Sequence, residues 1–172
     1  LNNKFSGYSP SVEPCNQCKN CQAINRDVST DVLEMDAASN RGIEEIRNLI
    51  QETAFLPMTT RFRVFIIDEA HMITTDAFNA LLKTLEEPPE TTIFILATTN
   101  PEKLPKTIIS RCVKVNFGKA KKDDIISMLK RINKHENLNC DEKLLNLIAN
   151  YSDQSFRDAA KLLEELTVQK IT

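Results

Sequence analysis

The chain has 172 residues, of which 41% are hydrophobic and 27% are charged. This length allows one large or two small domains, and the hydrophobic content is sufficient for a buried core. The formal net charge of −2 gives no basic footprint for autonomous DNA binding, although a local basic patch is compatible with it. No apolar run approaches the roughly 18 residues of a membrane-spanning helix, so no such segment is predicted.

The first 30 residues are polar and turn-rich, and they contain three closely spaced cysteines. Cys15, Cys18 and Cys21 form the pattern C-x2-C-x2-C, whereas Cys112 and Cys140 are isolated. Five cysteines in this arrangement are too few and too clustered for a disulfide framework, so they favour a metal site in a reducing, intracellular setting. Thiolates suit Zn²⁺, which takes four tetrahedral ligands in structural sites. Free thiols and an iron–sulfur site are the alternatives.

A short strand is predicted at 32–35, followed by a helix. Ser39 or Asn40 is expected to cap that helix, and Glu44 and Glu45 fall in its first turn, where the helix dipole favours acidic side chains. Four apolar residues at helical spacing predict the inward face of this helix: Ile43, Ile46, Leu49 and Ile50.

A largely apolar run at 62–67 ends in two adjacent carboxylates, Asp68 and Glu69. Such a run predicts a strand buried on both faces, as in a parallel sheet. Open α/β sheets bind ligands just outside the carboxyl ends of their strands. One carboxylate there can hold Mg²⁺ through water while the other orients or deprotonates an attacking water, as in the Walker B element of a nucleoside triphosphatase. Two acids that merely cap the next helix are the structural alternative.

The alternation of strand and helix continues beyond this point. A helix is predicted from about Thr75 to Glu87, where Pro88 and Pro89 stop it because they donate no backbone N–H. A buried strand at 93–97 leads into a polar loop, and a further short strand is predicted at 113–117. The pattern predicts a parallel α/β sheet.

After Gly118 three apolar stripes at helical spacing replace the strand pattern. The sequence therefore predicts an α/β domain over residues 1–117 and a small three-helix domain over 118–172. The stripes are formed by Ile125, Leu129 and Ile132, by Leu144, Leu145 and Ile148, and by Ala159, Leu162, Leu163 and Leu166.

Six sequence segments occur in a specific order and spacing between residues 13 and 165: EMDAASNRGIEEIRNLI, FRVFIIDEAHMIT, FNALLKTLEEPP, FILATTNPEKLP, ISRC and QSFRDA. Their combination resembles the gamma/tau subunits of bacterial DNA polymerase III, which are clamp-loader ATPases of the AAA+ class. The resemblance implies an AAA+ type parallel sheet with flanking helices, partial over residues 1–117, with a zinc module at 13–26. It also implies that residues 118–172 form a helical lid.

The resemblance assigns roles to residues at the predicted sheet edge. Asp68 matches the Mg²⁺-associated Walker B acid, and Glu69 the residue that activates water. Thr99 matches sensor 1, which contacts the γ-phosphate of ATP. Arg111 resembles the arginine finger, which acts on ATP held by a neighbouring subunit. His71 is expected to be a structural residue rather than a metal ligand.

Two further assignments depart from the family pattern. Arg157 matches sensor 2, an arginine that reaches from the lid to the nucleotide, but Gln154 stands where the family usually has glycine. The cysteine triplet matches three ligands of the family's zinc module, yet residues 1–14 contain no cysteine to match its first one.

The phosphate-binding motif G-x-x-x-x-G-K-[ST] is absent from the sequence, which contains three glycines. This motif supplies the backbone cradle for phosphates and the lysine that pairs them. The resemblance places it on a strand and helix before Leu1. We therefore expect an N-terminally truncated piece, incomplete at that end, which by itself binds ATP poorly or not at all and is inactive.

The resemblance implies that the intact protein is an ATPase that uses ATP and Mg²⁺, with structural Zn²⁺, to load the sliding clamp onto primed DNA. The implied partners are the delta and delta-prime subunits, further gamma/tau copies, the clamp and primer–template DNA, in the cytoplasm. The alternative is the delta-prime subunit, a non-hydrolysing scaffold that shares the cysteine cluster and the SRC arginine. A zinc-dependent nucleic-acid module is less favoured, because the cysteine segment holds few basic residues, Lys19 and Arg26.

Overall fold

The structure is a computed structural model that describes residues 13–169. Its contacts divide the chain between Lys114 and Val115 into two compact units. The first unit combines a sheet with helices and the second is helical. The division lies slightly before the predicted domain boundary at 117/118.

The N-terminal unit is built from three strands and four helices in the described residues. In chain order these are α1 (Lys19–Asn25), β1 (Val32–Asp36), α2 (Ile43–Glu52), β2 (Arg63–Asp68), α3 (Thr75–Glu86), β3 (Thr92–Leu96) and α4 (Lys106–Ile109), with short 3₁₀ helices at Ala70–Met72 and Pro101–Lys103.

The three strands form a parallel sheet in the order β1-β2-β3, as the strand–helix alternation predicted. The register places Phe65 between Leu33 and Phe94, and Ile67 between Met35 and Leu96. All of these residues belong to one core cluster with residues of α2, α3 and α4. Because side chains alternate across a strand, this core uses a single face of the sheet.

The prediction that β2 is buried on both faces was wrong. Phe65 and Ile67 are fully buried, whereas Val64 and Ile66 on the other face are only half-buried. Ile95 of β3, which shares that second face, is 47% exposed. An apolar run makes both faces of a strand suitable for burial, but the helices in the described residues cover only one face of this sheet.

The predicted strand at 113–117 does not form. No residue of this segment pairs with another strand among residues 13–169. Val113 and Phe117 are 93% and 94% exposed. Alternating apolar residues provide strand propensity, but a strand also needs a hydrogen-bonding neighbour, and propensity alone does not supply one.

The predicted cap of α2 was also wrong. Gly42 is the N-cap residue and no side chain caps the helix. Ser39 instead donates its hydroxyl hydrogen to the Asp36 carboxylate at 2.8 Å. The helix therefore starts later than predicted, after a turn that the Asp36 carboxylate holds. Asp and Ser side chains often form such local hydrogen bonds in place of helix caps.

A buried carboxylate joins the starts of β1 and β2. Asp31 is fully buried and accepts hydrogen bonds at 2.7 to 2.8 Å from the backbone N–H groups of Met58, Thr59 and Thr60 and from the Thr59 hydroxyl. These donors outweigh the effect of burial, which by itself raises the pKa, and they lower the pKa of Asp31 from 3.8 to about 2. The carboxylate therefore fixes the loop that leads into β2.

Replacing Asp31 with asparagine is expected to lower the free energy of unfolding by about 2 to 3 kcal/mol, because an amide group would face backbone donors. Since folding lowers the pKa, the ionised Asp31 stabilises the fold fully above about pH 4, and this contribution of about 2 kcal/mol is lost as the pH falls towards 2. Urea denaturation at pH 7 and at pH 3 measures both effects. Glu34→Gln, an exposed change on β1, is the control. Equal stability of the Asp31 and Glu34 variants at pH 7 would refute the proposed role.

The C-terminal unit is a three-helix arrangement made of α5 (Lys122–His135), α6 (Glu142–Tyr151) and α7 (Phe156–Val168). Side chains cap two of them, since Asp141 accepts from Leu144 N–H and Ser155 accepts from Asp158 N–H. No helix within residues 13–169 is long and apolar enough to cross a lipid bilayer. The predicted apolar stripes form the core of the unit.

Candidate functional site

The carboxyl ends of the strands bring acidic and polar side chains to one edge of the sheet. Asp36 ends β1, Asp68 ends β2, and the two are register partners. The loop after β3 lies at the same edge, because Ala97 N–H donates to the Ile67 carbonyl at 2.9 Å. This is the edge at which open α/β sheets bind their ligands.

Three predicted site residues meet at this edge. The Thr99 hydroxyl donates to Glu69 Oε2 at 3.3 Å, and Asp68 Oδ1 accepts from the Glu69 N–H at 2.8 Å. Asp68 is exposed and Glu69 is half-buried. The sheet therefore joins the end of β2 to the loop after β3, with the Thr99 hydroxyl on the Glu69 carboxylate and the Asp68 carboxylate on the Glu69 backbone.

Glu69 has an unusual backbone conformation. Its φ of 47° and ψ of 41° lie in the left-handed region, which residues other than glycine seldom adopt. The next residue, Ala70, is fully buried and donates its N–H to the Ala97 carbonyl at 2.9 Å. Packing and hydrogen bonding thus hold a strained backbone, a feature that clusters at functional sites.

Asp36 is a site residue that the motif analysis did not assign. Its carboxylate accepts hydrogen bonds at 2.8 Å from Ala38 N–H and from the Ser39 hydroxyl, and these lower the pKa of Asp36. The available signal was its place as an acid at the end of a predicted strand, matching Asp68. It adds a third carboxylate to the edge.

Arg111 follows α4, and its contacts are made away from this group of residues. Its guanidinium donates to the Thr107 carbonyl at 2.6 Å and pairs with the Glu86 carboxylate at the end of α3. Among the described residues, no hydrogen bond joins Arg111 to Glu69 or Thr99. The side chain is 32% exposed, so its charge is accessible at the surface.

Arg157 is an exposed residue in the first turn of α7, in the C-terminal unit. The turn before this helix explains one departure from the family pattern. Gln154 has a φ of 59°, in the left-handed region that glycine adopts without strain. The turn therefore has the conformation for which glycine is suited, and here glutamine adopts it.

The three clustered cysteines form a group with the geometry of a metal site. The Cys15, Cys18 and Cys21 sulfurs all lie within 4.8 Å of one another, and Cys15 Sγ is 3.8 Å from Cys21 Sγ. Tetrahedral zinc with bonds of about 2.3 Å separates its sulfur ligands by roughly 3.8 Å. The thiols are not joined in disulfides. The donor set therefore fits Zn²⁺, with three of four ligands present among the described residues.

Local hydrogen bonds prepare one of these thiols for metal binding. The backbone N–H groups of Gln17 and then Cys18 lower the pKa of Cys15 to about 7, which favours the thiolate that a metal requires. Contact with Cys18 raises the pKa of Cys21. A cation shared by the three sulfurs would offset their mutual repulsion.

The cysteine cluster is attached at the opposite edge of the sheet from Glu69. Cys18 is the N-cap of α1, and Asn20 of that helix donates to the Thr59 carbonyl at 3.2 Å. Thr59 belongs to the loop that Asp31 holds at the start of β2. This position suits a structural metal rather than one that takes part in chemistry at the carboxyl edge.

Comparison with known proteins identifies the relatives of this chain. The tau subunit of DNA polymerase III from Bacillus subtilis is 47% identical over 92% of the chain and 28% of the subunit. The gamma subunit from Buchnera aphidicola of Schizaphis graminum is 47% identical over 88% of the chain and 42% of the subunit. The Escherichia coli tau subunit is 41% identical over 90% of the chain and 24% of the subunit. The chain thus spans less than half the length of these relatives.

Solved structures show the same fold. A gamma-subunit-related protein of DNA polymerase III from Thermotoga maritima is 28% identical, with a TM-score of 0.53 over 74% of the chain and 46% of that protein. The Holliday junction branch migration motor RuvB from Thermotoga maritima matches with a TM-score of 0.68 over 87% of the chain and 50% of RuvB, at 18% identity. The RuvB likeness confirms the predicted fold, a parallel sheet with flanking helices.

The family model described as "DNA polymerase III, delta subunit" matches residues 2–121, which is more than half of the chain. The match covers the cysteine cluster, the sheet and Arg111. The relatives named above, at 41% to 47% identity, are gamma and tau subunits of the same polymerase, as the sequence motifs indicated. The chain therefore belongs to the DNA polymerase III delta-subunit family and is similar to gamma and tau subunits over about nine-tenths of its length.

Proposed function

We propose that this chain is part of a clamp-loader motor subunit, an ATPase of the replicative DNA polymerase III that places the sliding clamp on primed DNA. The observation that carries the proposal is the hydrogen bond between Thr99 and Glu69, which joins the end of β2 to the loop after β3. It supports a site in which a hydroxyl that senses phosphate is in contact with a carboxylate that activates water.

The roles of the edge residues follow from their chemistry. Asp68 would hold Mg²⁺ through its waters, and that ion would neutralise charge on the ATP phosphates. The Glu69 carboxylate orients the attacking water and accepts its proton. The Thr99 hydroxyl has one hydrogen to donate, so a γ-phosphate oxygen and Glu69 compete for it. Phosphate binding therefore releases the Glu69 carboxylate from its hydrogen bond with Thr99.

Two arginines complete the proposed machinery. Arg111 acts in trans, on ATP held by a neighbouring subunit, where its guanidinium neutralises charge that develops on the transferred phosphoryl group. Its surface ion pair with Glu86 contributes little stability, so exchanging Glu86 for a phosphate costs little. Arg157, exposed in the first turn of α7, keeps the sensor 2 role that the resemblance implies for it.

Cys15, Cys18 and Cys21 bind a structural Zn²⁺, a role supported by their mutual distances and by the attachment of α1 to the opposite edge of the sheet. Because Cys15 precedes α1 and Cys21 lies within it, shared binding of the ion would tie the two segments together. A zinc content of one ion per chain in the purified protein tests this assignment.

The subunit acts with delta and delta-prime subunits, further gamma/tau copies, the sliding clamp and primer–template DNA, in the cytoplasm where bacterial DNA is replicated. The similarity of this chain to gamma and tau subunits of DNA polymerase III supports these partners. The delta-prime alternative predicts the same surface arginine but no hydrolysis at Glu69.

The test is ATP hydrolysis by the complete gene product, reconstituted with its partner subunits and measured with and without clamp and primed DNA. We expect clamp and DNA together to stimulate hydrolysis strongly. An assembled complex that binds the clamp but leaves this subunit's ATP uncleaved would overturn the motor function and support the delta-prime alternative.

A further inference from the structure

His71 lies between the Glu69 carboxylate and the loop after β3. Its side chain is 9% exposed and sits on the 3₁₀ helix Ala70–Met72. Ring atom Nδ1 is 3.0 Å from Thr98 Oγ1 and 3.3 Å from Glu69 Oε2. Ring atom Nε2 is 3.5 Å from the Asn100 side-chain nitrogen. Both ring nitrogens thus face polar groups at the proposed catalytic edge.

The hydrogen-bond donors around the ring select one tautomer. The Asn100 amide nitrogen can only donate, so its 3.5 Å contact with Nε2 favours the tautomer in which Nε2 accepts. In that tautomer the hydrogen of a neutral ring lies on Nδ1 and is donated to Thr98 Oγ1. The nitrogen of this polar N–H group is also 3.3 Å from Glu69 Oε2, close enough to attract the carboxylate electrostatically. Thr98 is fixed in turn, because its hydroxyl oxygen also accepts from Asn100 N–H at 3.0 Å.

Glu69 Oε2 consequently has two polar neighbours that act differently when phosphate binds. One is the Thr99 hydroxyl at 3.3 Å, whose single hydrogen a phosphate oxygen would take. The other is His71 Nδ1 at 3.3 Å, which is buried and anchored by Thr98 and Asn100. When the Thr99 hydroxyl donates to the phosphate instead, the contact with His71 is the one that still restrains the Glu69 carboxylate.

We infer that His71 is a positioning residue for Glu69: its anchored ring, with Nδ1 3.3 Å from Oε2, keeps the carboxylate in place while Thr99 contacts the γ-phosphate. This inference rests on the proposed ATPase function. His71 transfers no proton to substrate and does not touch it.

The inference predicts an effect on turnover without an effect on ATP binding. In the reconstituted complex with clamp and primed DNA, His71→Leu is expected to lower kcat roughly tenfold to hundredfold, the effect of a misplaced catalytic group. The Kd for a fluorescent ATP analogue should stay within about twofold, because His71 faces Glu69 rather than the nucleotide. His71→Asn should recover most of the lost rate, since its amide nitrogen occupies about the position of Nδ1.

Three comparisons make the outcome decisive. His135→Leu, a change at the exposed second histidine, should leave kcat unchanged. His71→Leu added to Glu69→Gln should cause no further loss, because a positioning residue acts only through the group it positions. Thermal unfolding of each variant separates loss of fold from loss of position.

Each possible result has a definite meaning. A His71→Leu complex with wild-type kcat, or equal losses in the leucine and asparagine variants, would overturn the inference while leaving the motor function intact. An additional loss in the Glu69→Gln background would do the same. Absence of stimulated hydrolysis in the wild-type complex would instead overturn the proposed function itself.

Discussion

Replacing Glu69 with glutamine is expected to lower clamp- and DNA-stimulated ATP hydrolysis by at least about hundredfold, the usual contribution of a general base. Glutamine keeps the shape of the side chain and can still contact Thr99, but it cannot accept a proton from water. ATP binding should be retained, since the change is confined to the group that faces the water. Steady-state hydrolysis and the Kd for a fluorescent ATP analogue measure the two effects in the reconstituted complex.

The matched control for this variant is Glu90→Gln. Glu90 is exposed and precedes β3, so the change removes the same charge at the amino edge of the sheet, away from Thr99. We expect its hydrolysis rate to equal that of the wild type. If the Glu69 variant retained the wild-type rate as well, the general base would have to be another group, and Asp36 and Asp68 at the same edge would be the next candidates.

The second large effect is expected at Arg111. Arg111→Ala should reduce stimulated hydrolysis by about a thousandfold, within the range reported for arginine fingers in phosphoryl transfer. Binding of ATP to the complete subunit, measured in isolation, should be unchanged, because the arginine finger contacts the nucleotide of a neighbouring subunit. Arg47→Ala is the control, since Arg47 is also an exposed arginine paired with a glutamate, Glu44 at 2.7 Å.

Mixing the two inactive variants distinguishes action in trans from action in cis. A subunit with Arg111→Ala keeps Glu69, and a neighbour with Glu69→Gln keeps Arg111. If the finger acts in trans, their shared site contains both intact groups, so a mixed complex should recover hydrolysis that neither variant shows alone. No recovery in mixed complexes of the correct stoichiometry would show that Arg111 acts within its own subunit or only stabilises it.

The sequence predicted the parts of the site that depend on local order along the chain. The run before Asp68 predicted a strand, and parallel pairing then required its end to lie beside the end of β1 and the loop containing Thr99. A metal site at the cysteine triplet could also be predicted, because C-x2-C spacing brings the sulfurs together around a single helix start. The family resemblance added roles to these positions, and those roles stay predictions until the variants are measured.

Contacts between distant segments could not be predicted in the same way. Asp31 and its donors at Met58 to Thr60 are separated by 27 to 29 residues, and no local pattern pairs them. The contact of His71 with Thr98, at a separation of 27 residues, depends on the register of β2 against β3. The expected strand at 113–117 does not form for a related reason. A strand needs a partner strand, and the alternation of apolar residues along its own sequence does not provide one.

Apart from the strand at 113–117, the sequence by itself therefore determined the types of the main elements, the parallel order of strand and helix, and the carboxylates at a strand end, because hydrophobic period and strand polarity are local properties. Only the tertiary structure decided which face of the sheet is buried, that Glu69 has a left-handed backbone, and that His71 and Thr99 both approach its carboxylate. Those features arise from sheet register and packing between segments far apart in the chain, and the free energy of each contact depends on both partners at once.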